Sequence, residues 1–257
     1  MSQTDHIFSF GLPFNLGPGA LAFLAFCILG AAFIRGYSGF GFSALVVSAS
    51  ALVTNPLNFV PVVMLLEVAA TIGQAPAAWP NADKRLLGLM LAGACIAMPV
   101  SVWGLASLDV DMLRLVISVW VLVMCAALLT GWSIRRQVGN GGRVAAGMVS
   151  GLANGAAVGG LPIALFLAAQ NIAATVFRAT MIFYLCAIDL VALPMLGLNG
   201  LISTDTFIAA GLALPLLGLG VWLGGKRFVS TAPENFRRMA ISLLAFLALL
   251  GLVKSLF

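Results

Sequence analysis

Charge is what this chain has least of: 8% of its 257 residues are charged, against roughly a quarter in a soluble domain. With 62% hydrophobic residues, that shortage excludes a soluble fold, because too little polar surface exists to cover the apolar bulk. Cysteine is sparse and unpaired. Cys27, Cys95, Cys125 and Cys186 all fall inside apolar runs without the close spacing of metal sites or redox motifs, and they read as packing residues. No metal and no cofactor is expected. Histidine occurs once, as His6, which leaves a nucleophile inside the apolar segments without an imidazole base. The opening MSQTDHIFSFGLPFNLGP has neither a basic n-region nor a small-residue cleavage site, so a cleaved signal peptide is not expected.

Long apolar runs fill most of the rest. A spanning helix needs about 20 mostly apolar residues, and apolar runs and breakers predict ten segments: 19–35, 41–54, 57–78, 86–107, 113–132, 144–157, 160–170, 173–195, 206–224 and 238–256. The second, sixth and seventh are too short to span comfortably, and Gly or Pro interrupts them, as in discontinuous or re-entrant helices. In each half a Gly-rich broken pair precedes three long segments. The expected fold is an all-α integral membrane protein, one transmembrane domain over 1–257, built from repeats at 19–132 and 144–256.

The net charge of +5 is no sign of a nucleic-acid partner, since the basic residues collect in short loops: Lys84 and Arg85; Arg135, Arg136 and Arg143; Lys226, Arg227, Arg237 and Arg238. Short cytoplasmic loops gather Lys and Arg, and these three can all be cytoplasmic at once. The loops at 108–112 and 196–205, carrying Asp109, Asp111 and Asp205, then lie outside. Corresponding loops face opposite sides, so the repeats are expected to be inverted in a multi-pass protein of the cell membrane, with both termini outward.

Two glycine clusters stand out, RGYSGFGFSALV at 35–46 and GMVSGLANGAAVGGLPIAL at 147–165. Glycine costs a helix roughly 1 kcal/mol relative to alanine, so such density needs a cause. One cause is close helix packing through Gly147, Gly151 and Gly155, spaced every fourth residue. The other is a chain break inside the membrane, where freed amides and a half-helix N-terminus can hold an anion. Pro162 suits the first turn of a new helix, so Gly159 and Gly160 read as the loop that feeds it. The counterpart start lies near Gly39 to Ser43, with Ser38 as a hydroxyl donor. On this reading Ser38, Gly39, Gly41, Asn154, Gly155, Gly159 and Gly160 contact the anion.

In these motifs, GYSGFGF and NGAAVGGLP, and in the order of its segments, the chain resembles the TauE/SafE family of membrane transporters, associated with export of sulfite and related organosulfur anions. The resemblance covers nearly the whole length. In one departure, Gly39, Phe40, Gly41 and Phe42 stand where many members carry consecutive glycines. The resemblance implies two repeats, each opening with a glycine-rich motif, and a transporter, without naming the cargo; with the paired breaks, the expected function is a secondary transporter that exports a small anion such as sulfite, an organosulfonate or an organic acid by alternating access.

Charges inside apolar segments are the remaining signal, because burying one at mid-bilayer costs at least about 3 kcal/mol on insertion scales. Glu67 is central in its segment and reads either as a proton-coupling carboxyl or as a structural group bonded to a neighbouring helix. Asp189 lies toward the outer end of its own, which favours a solvated or packing role over coupling. Arg35 and Arg178 fall near the inner turns, where an arginine either snorkels to the headgroups or draws an anion into a vestibule. Asn154, Gln74 and Tyr184 are uncharged polar groups of the kind that joins helices. Gly36, Tyr37, Ser38 and Gly39 also spell the GxSG of an intramembrane serine protease, but a serine nucleophile needs a base, and His6, Lys84, Lys226 and Lys254 all lie in tails or loops. The chain is therefore read as no enzyme. An anion channel is the alternative to a carrier.

Overall fold

The computed structural model describes residues 13–130, 138–170, 172–228 and 249. The N-terminal tail with His6, the basic pair Arg135 and Arg136, and the segment 238–256 with Arg238 and Lys254 lie outside the described residues, apart from Leu249, as does Arg237. Among the described residues there are nine α-helices and no strand: α1 (Pro18–Ser38), α2 (Phe42–Ser50), α3 (Pro56–Ala78), α4 (Lys84–Ala106), α5 (Val110–Leu129), α6 (Asn140–Asn154), α7 (Gly160–Ala169), α8 (Ala174–Leu198) and α9 (Thr204–Phe228). Six of them, α1, α3, α4, α5, α8 and α9, are long and apolar enough to cross a membrane. Phe26, Ile72, Trp103 and Leu198 are exposed, as residues facing lipid tails are.

Caps set the helix starts. Asn55, Asp83 and Asp109 each accept a backbone N–H of the first turn of α3, α4 and α5, at 3.0, 2.9 and 2.8 Å, which satisfies donors that a helix start leaves open. The short segments are short helices as expected: α2 has 9 residues and α7 has 10, so α2 is only about 14 Å long at 1.5 Å per residue.

Glycine governs which helices meet. Gly220 and Gly224 of α9 lie against Leu29, Ala32 and Phe33 of α1, and Gly36 of α1 lies against the backbone of Val221. Gly147, Gly151 and Gly155 fit in the same way against Met90, Ala94 and Ser101 of α4. Position rises together on both partners, so α1 runs parallel to α9, and α6 parallel to α4. The packing reading of the Gly147, Gly151 and Gly155 stripe therefore describes a real contact. A Cβ at Gly151 would lie 2.8 Å from Ala94 Cα. We expect Gly151→Val to destabilise the protein by about 1–3 kcal/mol through overpacking, measured as a lower unfolding midpoint in detergent.

The remaining contacts follow the same exchange. Helix α3 packs on α8 at the centre, α3 also touches α9, and α8 also touches α4. Swapping α1 for α6, α3 for α8 and α4 for α9 turns this set of partners into itself. Phe14 N–H donates to Asp205 at 2.8 Å, so the start of α1 and the start of α9 share one face of the bundle.

Candidate functional site

Both glycine clusters interrupt the helical backbone. Helix α1 ends at Gly39, left-handed at φ 83°, whose N–H donates to Arg35 O at 2.8 Å. Gly41 is left-handed too, at φ 91°, and α2 starts at Phe42. Two positive φ values so close together suit glycine, which has no Cβ to clash. The Ser38 hydroxyl sits 2.8 Å from Ile34 O and 3.0 Å from Phe40 O, so its one proton is used on the break itself. In the second half the break runs from Gly155 to Gly159, with Pro162 in the first turn of α7. The Ser150 hydroxyl donates to Gly159 O at 2.6 Å, and Ser101 Oγ accepts the Gly155 N–H at 3.0 Å.

The two breaks lie at different levels. Gly39 abuts Arg178 of α8, whereas Gly160 abuts Leu185, seven residues and about 10 Å further along the same helix.

The charged candidates are brought together in a way their positions in the chain do not announce. Arg35 and Glu67 form an ion pair with both side chains 0% exposed, and Arg35 Nη2 also donates to Thr71 Oγ1 at 3.0 Å and to Glu67 O at 3.2 Å. The snorkelling expectation for Arg35 is thereby corrected. Helix α1 continues to Ser38 beyond it, and α2 and α3 cover it, so the guanidinium turns inward to its partner. Ser43, the second residue of α2, lies within electrostatic reach of the Glu67 carboxylate. The N-terminus of α2, where the first-turn amides have no intrahelical partner, thus already faces an anion supplied by the protein.

Asp189 is 3% exposed, which corrects the solvated expectation: α8 runs on to Leu198, leaving Asp189 in the helix interior. Its Oδ1 accepts from Asn154 Nδ2 at 3.1 Å. Each buried pair joins the last turn of a helix that leads into a break to a carboxylate on the next long helix: Arg35, three residues before the end of α1, to Glu67 on α3, and Asn154, the last residue of α6, to Asp189 on α8. At the α7 start, Leu161 N–H is spent on Val158 O and Pro162 has none, so few amides remain there for a ligand.

Arg178 is placed differently. Its Nη2 donates to Gly36 O at 2.6 Å, its guanidinium lies 4.7 Å from the centre of the Phe228 ring, and its Nε has no hydrogen-bond partner among the described residues. It lines a cavity of about 260 Å³ with Tyr37, Ser38, Phe40, Phe177 and Phe228. This cavity lies at the first break, at the end of the bundle where α9 finishes with Lys226 and Arg227. Of the sequence candidates it gathers Ser38 and Arg178, with Gly39 behind the arginine; Asn154, Gly155, Gly159 and Gly160 belong to the other break. Thr71, Ser43 and the aromatic wall were not legible as site residues. Gln74 lines a separate groove of about 580 Å³ between α3 and α9.

A polytopic helical membrane protein with two buried helix breaks and an arginine-lined cavity at one of them has the build of a membrane transporter. The chain belongs to the sulfite exporter TauE/SafE family, whose model matches residues 24–251. That family consists of membrane transporters of sulfite and related anions, not enzymes. No curated protein and no solved structure matches the chain significantly.

Proposed function

We propose that this protein is a secondary transporter that exports a small anion, sulfite or a short organosulfonate, across the cell membrane by alternating access. The observation that carries the reading is Arg178, a cation at a helix break with one donor unspent, lining a small cavity. A guanidinium gives oxyanions paired, charge-assisted hydrogen bonds, and the aromatic wall keeps the site partly dry. The same reading takes 19–132 and 144–256 as inverted repeats with re-entrant glycine-rich pairs. The interchange of helix partners supports it, as does the shared face of the starts of α1 and α9. With the basic loops cytoplasmic, the cavity opens inward and both termini face outward. Rocking of one half against the other would then move the site from side to side.

The test is uptake of labelled sulfite and of short sulfonates into proteoliposomes with and without the protein. Saturable uptake driven uphill by an imposed proton gradient is the expected result. An ohmic current would show a channel instead, and no flux of any of these anions would refute the reading.

A further inference from the structure

The two matching buried pairs differ in charge. In the first half Glu67 meets a permanent cation, Arg35. In the second half Asp189 meets the neutral Asn154 amide and has no ion pair among the described residues. The titratable groups within electrostatic reach of Asp189 are Glu67 on α3 and Arg35 on α1, with Tyr184 and Cys186 on its own helix. Helix α4 contributes Cys95 beside Tyr184, α6 contributes Asn154, and α7 has no titratable residue. Among the described residues one guanidinium thus faces two carboxylates, leaving one negative charge in excess around Asp189.

An unneutralised carboxylate there costs at least about 3 kcal/mol on insertion scales, and burial at 3% exposure removes the water that would otherwise screen it. Something must supply a positive charge. Arg178 is not at hand, since it lies eleven residues and about 16 Å earlier on α8 and is bonded to Gly36 O. A metal cation fits poorly. Sodium-like ions need several free oxygens, but the group turned to Asp189 Oδ1 is an N–H donor, and the carbonyl of Gly159, which lies beside Asn154, already accepts from Ser150. A proton needs one oxygen and no space.

We propose that Asp189 is the proton-carrying residue of the transport cycle, binding one proton at its carboxylate and releasing it on the other side of the membrane, while Glu67 stays ionised as the fixed partner of Arg35. Arg35 then occupies in the first half the role that the transported proton fills in the second. This rests on the transporter reading above, and separates from it in the assay: no anion flux in wild type defeats that reading, whereas flux with unaltered coupling in the variants defeats this one.

The experiment uses the full chain in proteoliposomes, free of sodium, with labelled sulfite as the probe and two readouts, accumulation driven by a pH gradient and exchange of labelled for unlabelled anion at equal pH. Asp189→Asn is expected to lose gradient-driven accumulation, its internal-to-external ratio falling to one, while exchange remains measurable. Asp189→Glu is expected to keep accumulation with a displaced pH profile. Accumulation by Asp189→Asn, or a wild-type pH profile in Asp189→Glu, would overturn the proposal. Loss of both readouts in both variants would also count against it, as the mark of a purely structural aspartate.

Discussion

Replacing Glu67 by leucine alone is expected to lower stability by about 3–5 kcal/mol, because it strands the Arg35 guanidinium in a fully buried position. Arg35 and Glu67 are both 0% exposed, so neither water nor a headgroup reaches the orphaned charge. The remaining partners, Thr71 Oγ1 and the main-chain carbonyl of residue 67, give it hydrogen bonds, and the one other carboxylate within electrostatic reach, Asp189, is bonded to Asn154 and not paired with it. Removing both charges together, as Arg35→Met with Glu67→Leu, should restore most of that loss, since an apolar pair of similar volume needs no desolvation. Equilibrium unfolding in mixed detergent would measure both. A single variant as stable as wild type, or a double variant no better than the single, would show that the ion pair does not hold α1 to α3.

The second large effect falls on Gly39. An alanine there would have to adopt φ 83°, at a cost of roughly 1–2 kcal/mol, and its Cβ would lie 2.9 Å from Arg178 O. Relief requires α1 or the start of α8 to move, and either motion shifts the guanidinium lining the cavity. A displacement of about 1 Å at a binding group can cost about a hundredfold, so Gly39→Ala should lose nearly all sulfite uptake per inserted molecule. Gly41→Ala carries the strain of φ 91° but has only Ile34 Cγ2 nearby, at 3.6 Å, and should lose less. Equal uptake by Gly39→Ala and wild type would mean that the close approach at Arg178 does not matter for transport.

The helix pattern was legible because hydropathy reports burial in lipid directly. Every described helix falls on a segment read from apolar runs, and the breaks fall where glycine clusters and Pro162 place them. What the sequence could not show is azimuth. Arg35 and Glu67 lie on separate helices, and nothing in apolar spacing says that their side chains point at each other. The same holds for Asn154 and Asp189. Arg35 and Asp189 also lie nearer the ends of the apolar segments than of the helices, because α1 and α8 each continue three residues beyond the predicted ends, at Ser38 and Leu198. Amides freed at a half-helix start suggested an anion site, but only the folded chain shows that Glu67 faces the start of α2 and that Arg178 lines the cavity beside the break.

Anion recognition at the first break rests most directly on Arg178. Equilibrium binding of labelled sulfite to the purified full-length protein should be saturable in wild type and about tenfold or more weaker in Arg178→Gln, the loss that follows from one charge-assisted interaction of about 1.5–3 kcal/mol. Undiminished sulfite affinity in that variant would contradict it.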